Sequence, residues 1–187
     1  MALEMGTDTD DGEALGRLAE SADIRFQQDP AGGAQRVFCR GRDVTGDIRS
    51  RPVSKAVPGV SAFTEVRKAI VETQRKLAAG HDVVMEGRDI GTVVLPDAEC
   101  KIYLTASAEV RAERRLLERK DTDPAGGEAG QSLAEVIQEL EKRDKEDSTR
   151  PISPLRRAEG SILLDTTSLS FPEAVEEALR IVRSTLQ

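Results

Sequence analysis

Asp82-Val83-Val84-Met85-Glu86-Gly87-Arg88-Asp89-Ile90-Gly91-Thr92 is the stretch on which the reading of the fold turns. Its first four residues form a short apolar run behind Gly80-His81, a helix-ending pair. They predict a buried strand that stops at an acidic-Gly-Arg-Asp turn. In open α/β sheets, ligands sit outside the carboxyl ends of the strands. At such an end Gly87 permits an unusual backbone angle or close ligand approach. Arg88 offers a planar fork suited to phosphate, and Asp89 can accept hydrogen bonds from an amine. A salt-bridged surface turn uses the same residue types, so the triplet alone leaves both readings open.

Downstream, Val93-Val94-Leu95 is stopped by Pro96. Lys101 to Ala106 reads as a second core strand and Ser161 to Asp165 as a third. Between them, Ala108 to Lys120 predicts a helix with Arg111 and Arg115 one turn apart on one side. Asp121 to Gly130 has the composition of a flexible loop. Ser132 with Glu135 is a capping box, opening a helix whose apolar face is Leu133, Val136, Ile137 and Leu140. The end of that helix, Glu141 to Arg150, is dense in charge. Phe171 to Leu186 predicts a last amphipathic helix with Pro172 in its first turn. Strands alternating with helices from residue 80 onward predict a parallel sheet with crossover helices.

Upstream, residues 1–22 read as helical pieces broken at Thr7 to Asp11, with Leu15 and Leu18 on one face. Asp23 to Phe26, Arg36 to Arg40 and Asp43 to Arg49 alternate, and predict a small three-stranded antiparallel sheet. Residues 50–79 turn helical, with a kink or boundary at Pro58-Gly59. The stripe Val66, Ala69, Ile70, Thr73 and Leu77 follows, with Arg67 beside it.

The 187 residues suffice for one domain with insertions. A net charge of −7 argues against broad nucleic-acid binding, and 3% aromatic residues offer no stacking platform. Cys39, Cys100 and His81 make no metal pattern, and unpatterned cysteines suit a reduced, intracellular chain. No apolar run is long enough to span a membrane. In so acidic a chain, arginines near loops and helix ends point to a small polyanionic ligand: Arg49, Arg67, Arg88, Arg111, Arg115, Arg143 and Arg150. Arg143 and Asp147 share one helical face, as an ordinary (i, i+4) pair also would.

Taken together, VVMEGRDIGTVVLPD at 83–97, KIYLTASAEVRAERR at 101–115, EVIQELEKRDKEDSTRPISPL at 135–155 and ILLDTTSLS at 162–170 resemble the bacterial cytidylate kinase family. VTGDIRS at 44–50 and VSAFTEVRKAIVETQR at 60–75 match it upstream, in the same order. The resemblance implies an α/β, P-loop nucleoside monophosphate kinase fold: a parallel sheet core with an antiparallel monophosphate-binding insert and a lid. The core would comprise residues 1–22, 80–119 and 151–187, the CMP-binding domain 23–79, and the lid 120–150. It implies transfer of the γ-phosphate of ATP, with Mg2+, to CMP or dCMP, by a cytoplasmic enzyme expected to be a monomer. Arg49, Arg67 and Arg88 would grip the CMP phosphate or sugar, and Arg67 and Asp89 would read the cytosine edge. Arg143, Asp147 and Arg150 would act catalytically from the lid, while Arg111 and Arg115 would face ATP. No residue is assigned to a metal.

The sequence departs from the family pattern twice. Pro58 stands where the family usually has a base-binding serine, which weakens the expectation of normal cytosine affinity or shifts that task to Ser54 or Ser61. The phosphate-binding G-x-x-x-x-G-K-[ST] loop does not occur in the 187 residues, so an N-terminally truncated kinase is expected. Two readings stay open: a (d)CMP kinase, or a non-catalytic remnant that at most binds nucleotide weakly.

Overall fold

The computed structural model describes residues 1–28, 32, 33, 35–122 and 131–186, with the side chains of 119–122 left aside. The loop expected at 121–130 is helical at its first two residues and otherwise lies outside the described residues. The chain forms two compact units, Met1–Met85 and Glu86–Gln187.

The first unit opens with two helices, α1 (Ala2–Met5) and α2 (Gly12–Glu20). Asp11 caps α2 by accepting from the Ala14 amide at 2.9 Å, which satisfies one of the orphan donors of the first turn. Three antiparallel strands follow in the order β1 (Ile24–Gln27), β2 (Arg36–Cys39), β3 (Arg42–Asp43). Ile24 pairs with Cys39 and Phe38 with Asp43. The third strand is shorter than expected, because Asp43 turns the chain: its carboxylate accepts from the amide and the hydroxyl of Thr45, an Asx-type turn that competes with the ladder. Residues Asp47–Arg49 then form a 3-10 turn.

Helix α3 (Arg51–Val60) carries Pro58 inside its last turn and ends two residues later, the boundary expected from a residue without an N–H. Helix α4 (Thr64–Ala78) buries Val66 and Ala69 of the predicted stripe. It packs against α2, where Leu15 is buried. The crossing is close because α2 presents glycines. A Cβ on Gly16 would lie 2.6 Å from Glu65 Cβ, and one on Gly12 would run into the Phe63 ring.

Where the chain passes from the first unit to the second, one expectation is corrected. Residues 82–86 form no strand, and Val83 and Val84 are exposed. An apolar run becomes a strand only where a neighbour completes its ladder, and no described strand pairs with it. Ile90–Val94 instead wind into a single π-helical turn, in which Val94 and Leu95 donate five residues back to Asp89 and Ile90 at 3.2 and 2.7 Å. Gly87 lies against that turn: a Cβ there would meet the Ile90 side chain at 3.0 Å.

Strand β4 (Ile102–Thr105) pairs in parallel with β5 (Ile162–Asp165), Ile102 facing Ile162. The α/β class and the parallel pairing agree with the expectation. Their crossover contains α5 (Ala108–Thr122) and α6 (Leu133–Thr149), packed together through Ala112, Val136 and Leu140. The capping box on α6 forms as expected, with the Ser132 amide donating to Glu135 at 2.7 Å. Helix α7 (Phe171–Thr185) closes the chain with a second capping box, Ser170 with Glu173. The two strands are less buried than core strands should be. Leu164 is buried, but Leu104, Ile162 and Leu163 are exposed, because the described sheet has only these two members.

Candidate functional site

The charge-dense end of α6 supplies the site of the second unit. Helical periodicity continues the apolar stripe Val136 and Leu140 into Asp144 and Asp147, four and seven residues beyond Leu140. The two carboxylates therefore sit on the inward side of the helix, half-buried, while Arg143 and Lys145 beside them are exposed. Carboxylates in that place need cationic partners, and the surrounding elements provide them.

Arg88 reaches Asp144 with Nη1 at 3.4 Å and Asp147 with Nε at 3.2 Å. Arg111, on α5, donates to the Ala106 carbonyl at 3.1 Å and to Asp144 Oδ2 at 2.6 Å. It thus ties the end of β4 to α6. Arg150 donates to the Ser153 carbonyl at 2.6 Å and to Asp147 Oδ1 at 3.3 Å. Arg143 stands 4.0 Å from Asp147. The expected (i, i+4) pair is therefore the loosest contact of the group. Four guanidiniums surround two carboxylates, a local surplus of positive charge in a chain of net charge −7. Asp147 Oδ2 receives no hydrogen bond of good geometry from any of them.

Of the residues expected at a site, Arg88, Arg111, Arg143, Asp147 and Arg150 come together here. Arg115 pairs instead with Glu139 at 3.6 Å, between α5 and α6. Asp89 is half-buried and begins the π turn, its carbonyl accepting from the Val93 and Val94 amides. Arg49 and Arg67 belong to the first unit. Arg49 is exposed in the 3-10 turn. Arg67 is half-buried and donates to the Ser61 carbonyl at 3.1 Å, just past the end of α3. Asp144 was not expected. Its signal was available in the sequence: an acidic residue four positions after Leu140 continues the buried stripe.

A hydrogen-bonded cluster of planar guanidiniums with charge to spare is chemically suited to a compact polyanion such as a phosphate ester. Such a cluster beside a strand end of an α/β unit lies where ligands of that class of fold sit. The chain is a member of the cytidylate kinase family, whose model matches residues 1–184; this is a family of nucleoside monophosphate kinases. Its relatives include a cytidylate kinase of Carboxydothermus hydrogenoformans, 47% identical over 96% of this chain and 78% of that protein. Another is the cytidylate kinase of Lactobacillus johnsonii, 41% identical over 98% of this chain and 76% of the relative. The cytidylate kinase of Exiguobacterium sibiricum is 44% identical over the whole of this chain and 80% of its own length. Membership brings with it the fold of the nucleoside monophosphate kinases. No helix among the described residues is long and apolar enough to cross a membrane.

Proposed function

We propose that this chain is a (d)CMP kinase, which moves the γ-phosphate of ATP to CMP or dCMP and yields ADP and CDP or dCDP. The observation that carries the reading is the cluster of Arg88, Arg111, Arg143 and Arg150 around Asp144 and Asp147 in a member of this family. Phosphoryl transfer is helped chiefly by positioned positive charge. Arg88 is assigned to the acceptor phosphate, and Arg49 and Arg67, by the family resemblance alone, to the phosphate or sugar of CMP, with Arg67 also reading the cytosine edge. Arg143, Asp147 and Arg150 act from the lid, and Arg111 and Arg115 face the donor. Asp89 accepts from the exocyclic amine of cytosine, a donor that uracil lacks.

Magnesium would accompany ATP. Among the described residues no three His, Cys, Asp or Glu side chains converge to hold an ion, and Asp144 and Asp147 are engaged by arginines. The enzyme would work in the cytosol as a monomer, with core, CMP-binding domain and lid divided as the family resemblance implies.

The test is ADP formation by the purified chain with CMP, dCMP, UMP and AMP as acceptors, beside calorimetric titration of each. The kinase reading expects ADP formation that depends on CMP or dCMP. Binding of CMP without ADP formation returns the non-catalytic reading. Equal affinity for CMP and UMP removes Asp89 from base recognition.

A further inference from the structure

Asp144 links Arg88 to Arg111, a pair that no residue expected from the sequence joins. One carboxylate oxygen faces Arg88 at 3.4 Å and the other receives Arg111 at 2.6 Å. Arg88 follows the segment 82–86, Arg111 lies on α5 and Asp144 on α6, so one side chain gathers three elements. The two contacts differ. Arg111 is also anchored on the Ala106 carbonyl, whereas the Arg88 contact is long and is shared with Asp147. A pair of anionic oxygens offered to two guanidiniums is what a phosphate group would also offer them.

We propose that Asp144 is a positioning residue that stands in for the ligand's phosphate in the ligand-free chain. It keeps Arg88 and Arg111 facing one point. Arriving phosphate takes over Arg88, while Asp144 retains Arg111. Asp144 is thus a competitor for the anion as well as an organiser of its site. This rests on the reading of the cluster as a phosphate-binding site.

The experiment titrates the full chain and its D144N variant with CMP, inorganic phosphate and cytidine, at low and moderate salt. Asparagine keeps the shape and removes the competing charge. The expected result is phosphate and CMP affinity higher by about fivefold in D144N, roughly 1 kcal/mol, steeper salt dependence, and unchanged cytidine affinity. A residue that only supports the fold would instead weaken CMP and cytidine together. E146Q, which removes the same charge from an exposed position on α6 paired with Lys142, is expected to leave phosphate affinity within twofold. Where D144N melts early, D144E, which restores the charge, should return both stability and the original phosphate affinity. Unchanged or weaker phosphate binding in D144N, or an equal gain in E146Q, overturns the proposal. A wild-type chain that binds phosphate but not CMP overturns the CMP reading alone, and the phosphate titrations still decide the role of Asp144.

Discussion

At the scale of single residues, the separation of binding from folding is clearest at Arg88. Its side chain is half-exposed and its partners are carboxylates rather than core atoms. Arg88→Ala is expected to cost CMP affinity about 1.5–3 kcal/mol, the worth of a charge-assisted contact, which is roughly one to two decades. The melting temperature should fall little. The variant relieves Asp144 of a partner that Arg111 partly replaces, but it leaves Asp147 with Arg150 and the more distant Arg143. Calorimetry beside thermal unfolding checks this: a large drop in melting temperature with unchanged CMP affinity would make Arg88 a structural residue. The Gly-Arg-Asp triplet alone suits a salt-bridged surface turn as well, and Arg88 stood out in the sequence only beside the ordered stretches that surround it. The sequence hid Asp144 inside a run of eleven mostly charged residues from Glu141 to Pro151, where only the periodicity carried over from Leu140 singles it out.

At the scale of elements, packing and turn chemistry make two separable expectations. Gly16→Ala raises the helix propensity of α2 by about 1 kcal/mol, yet the new methyl would sit 2.6 Å from Glu65 Cβ. That atom is fixed to the α4 backbone and cannot swing away, so overpacking of about 1–3 kcal/mol should win. The urea midpoint should therefore fall; a rise would mean that the two helices part without cost. The turn after β3 responds to acid. The Thr45 hydroxyl and amide, with Arg36, lower the Asp43 pKa from 3.8 to about 2. A depressed folded value means that the stabilising contribution is present above 3.8 and is lost as the pH falls through about 2. Asp43→Asn should flatten that part of the acid-unfolding curve, and identical curves would count against the turn as its source. The capping box at Ser132, the helix stripes and the three-stranded sheet were legible because each depends on neighbours in sequence. The π turn at Ile90–Val94 was not, since its hydrogen bonds shift by one residue without altering the pattern of apolar side chains. The strand expected at 82–86 failed for the opposite reason: its pattern is right, but a ladder needs a partner that local sequence does not specify.

For the molecule as a whole, the α/β class and parallel pairing followed from alternating patterns, but burial did not. Continuous apolar runs predict strands covered on both faces. In β4 and β5, Leu104 is 65% exposed and Leu163 is 49% exposed, while Leu164 between their neighbours is 5% exposed. In a parallel pair, Leu104 and Leu164 are register partners on one face, so cover on that face reaches β5 and stops before β4. Leu163 points to the opposite face and is also open to solvent. This asymmetry makes a sharp comparison. Leu164→Ala removes a buried side chain and should cost about 2–5 kcal/mol, a large share of the roughly 5–15 kcal/mol that holds a typical domain together. Leu163→Thr removes an exposed one, introduces a β-branched residue suited to a strand, and should stay within about 0.5 kcal/mol of the parent. Exposed apolar residues on a sheet with open edges also favour association between chains. Leu104→Thr with Leu163→Thr should therefore lower binding of an apolar dye and slow light scattering on concentration, at nearly unchanged urea midpoint. A midpoint that falls as far for Leu163→Thr as for Leu164→Ala would show that the outer face of β5 is covered in solution, and the expected gain in solubility would then vanish with it.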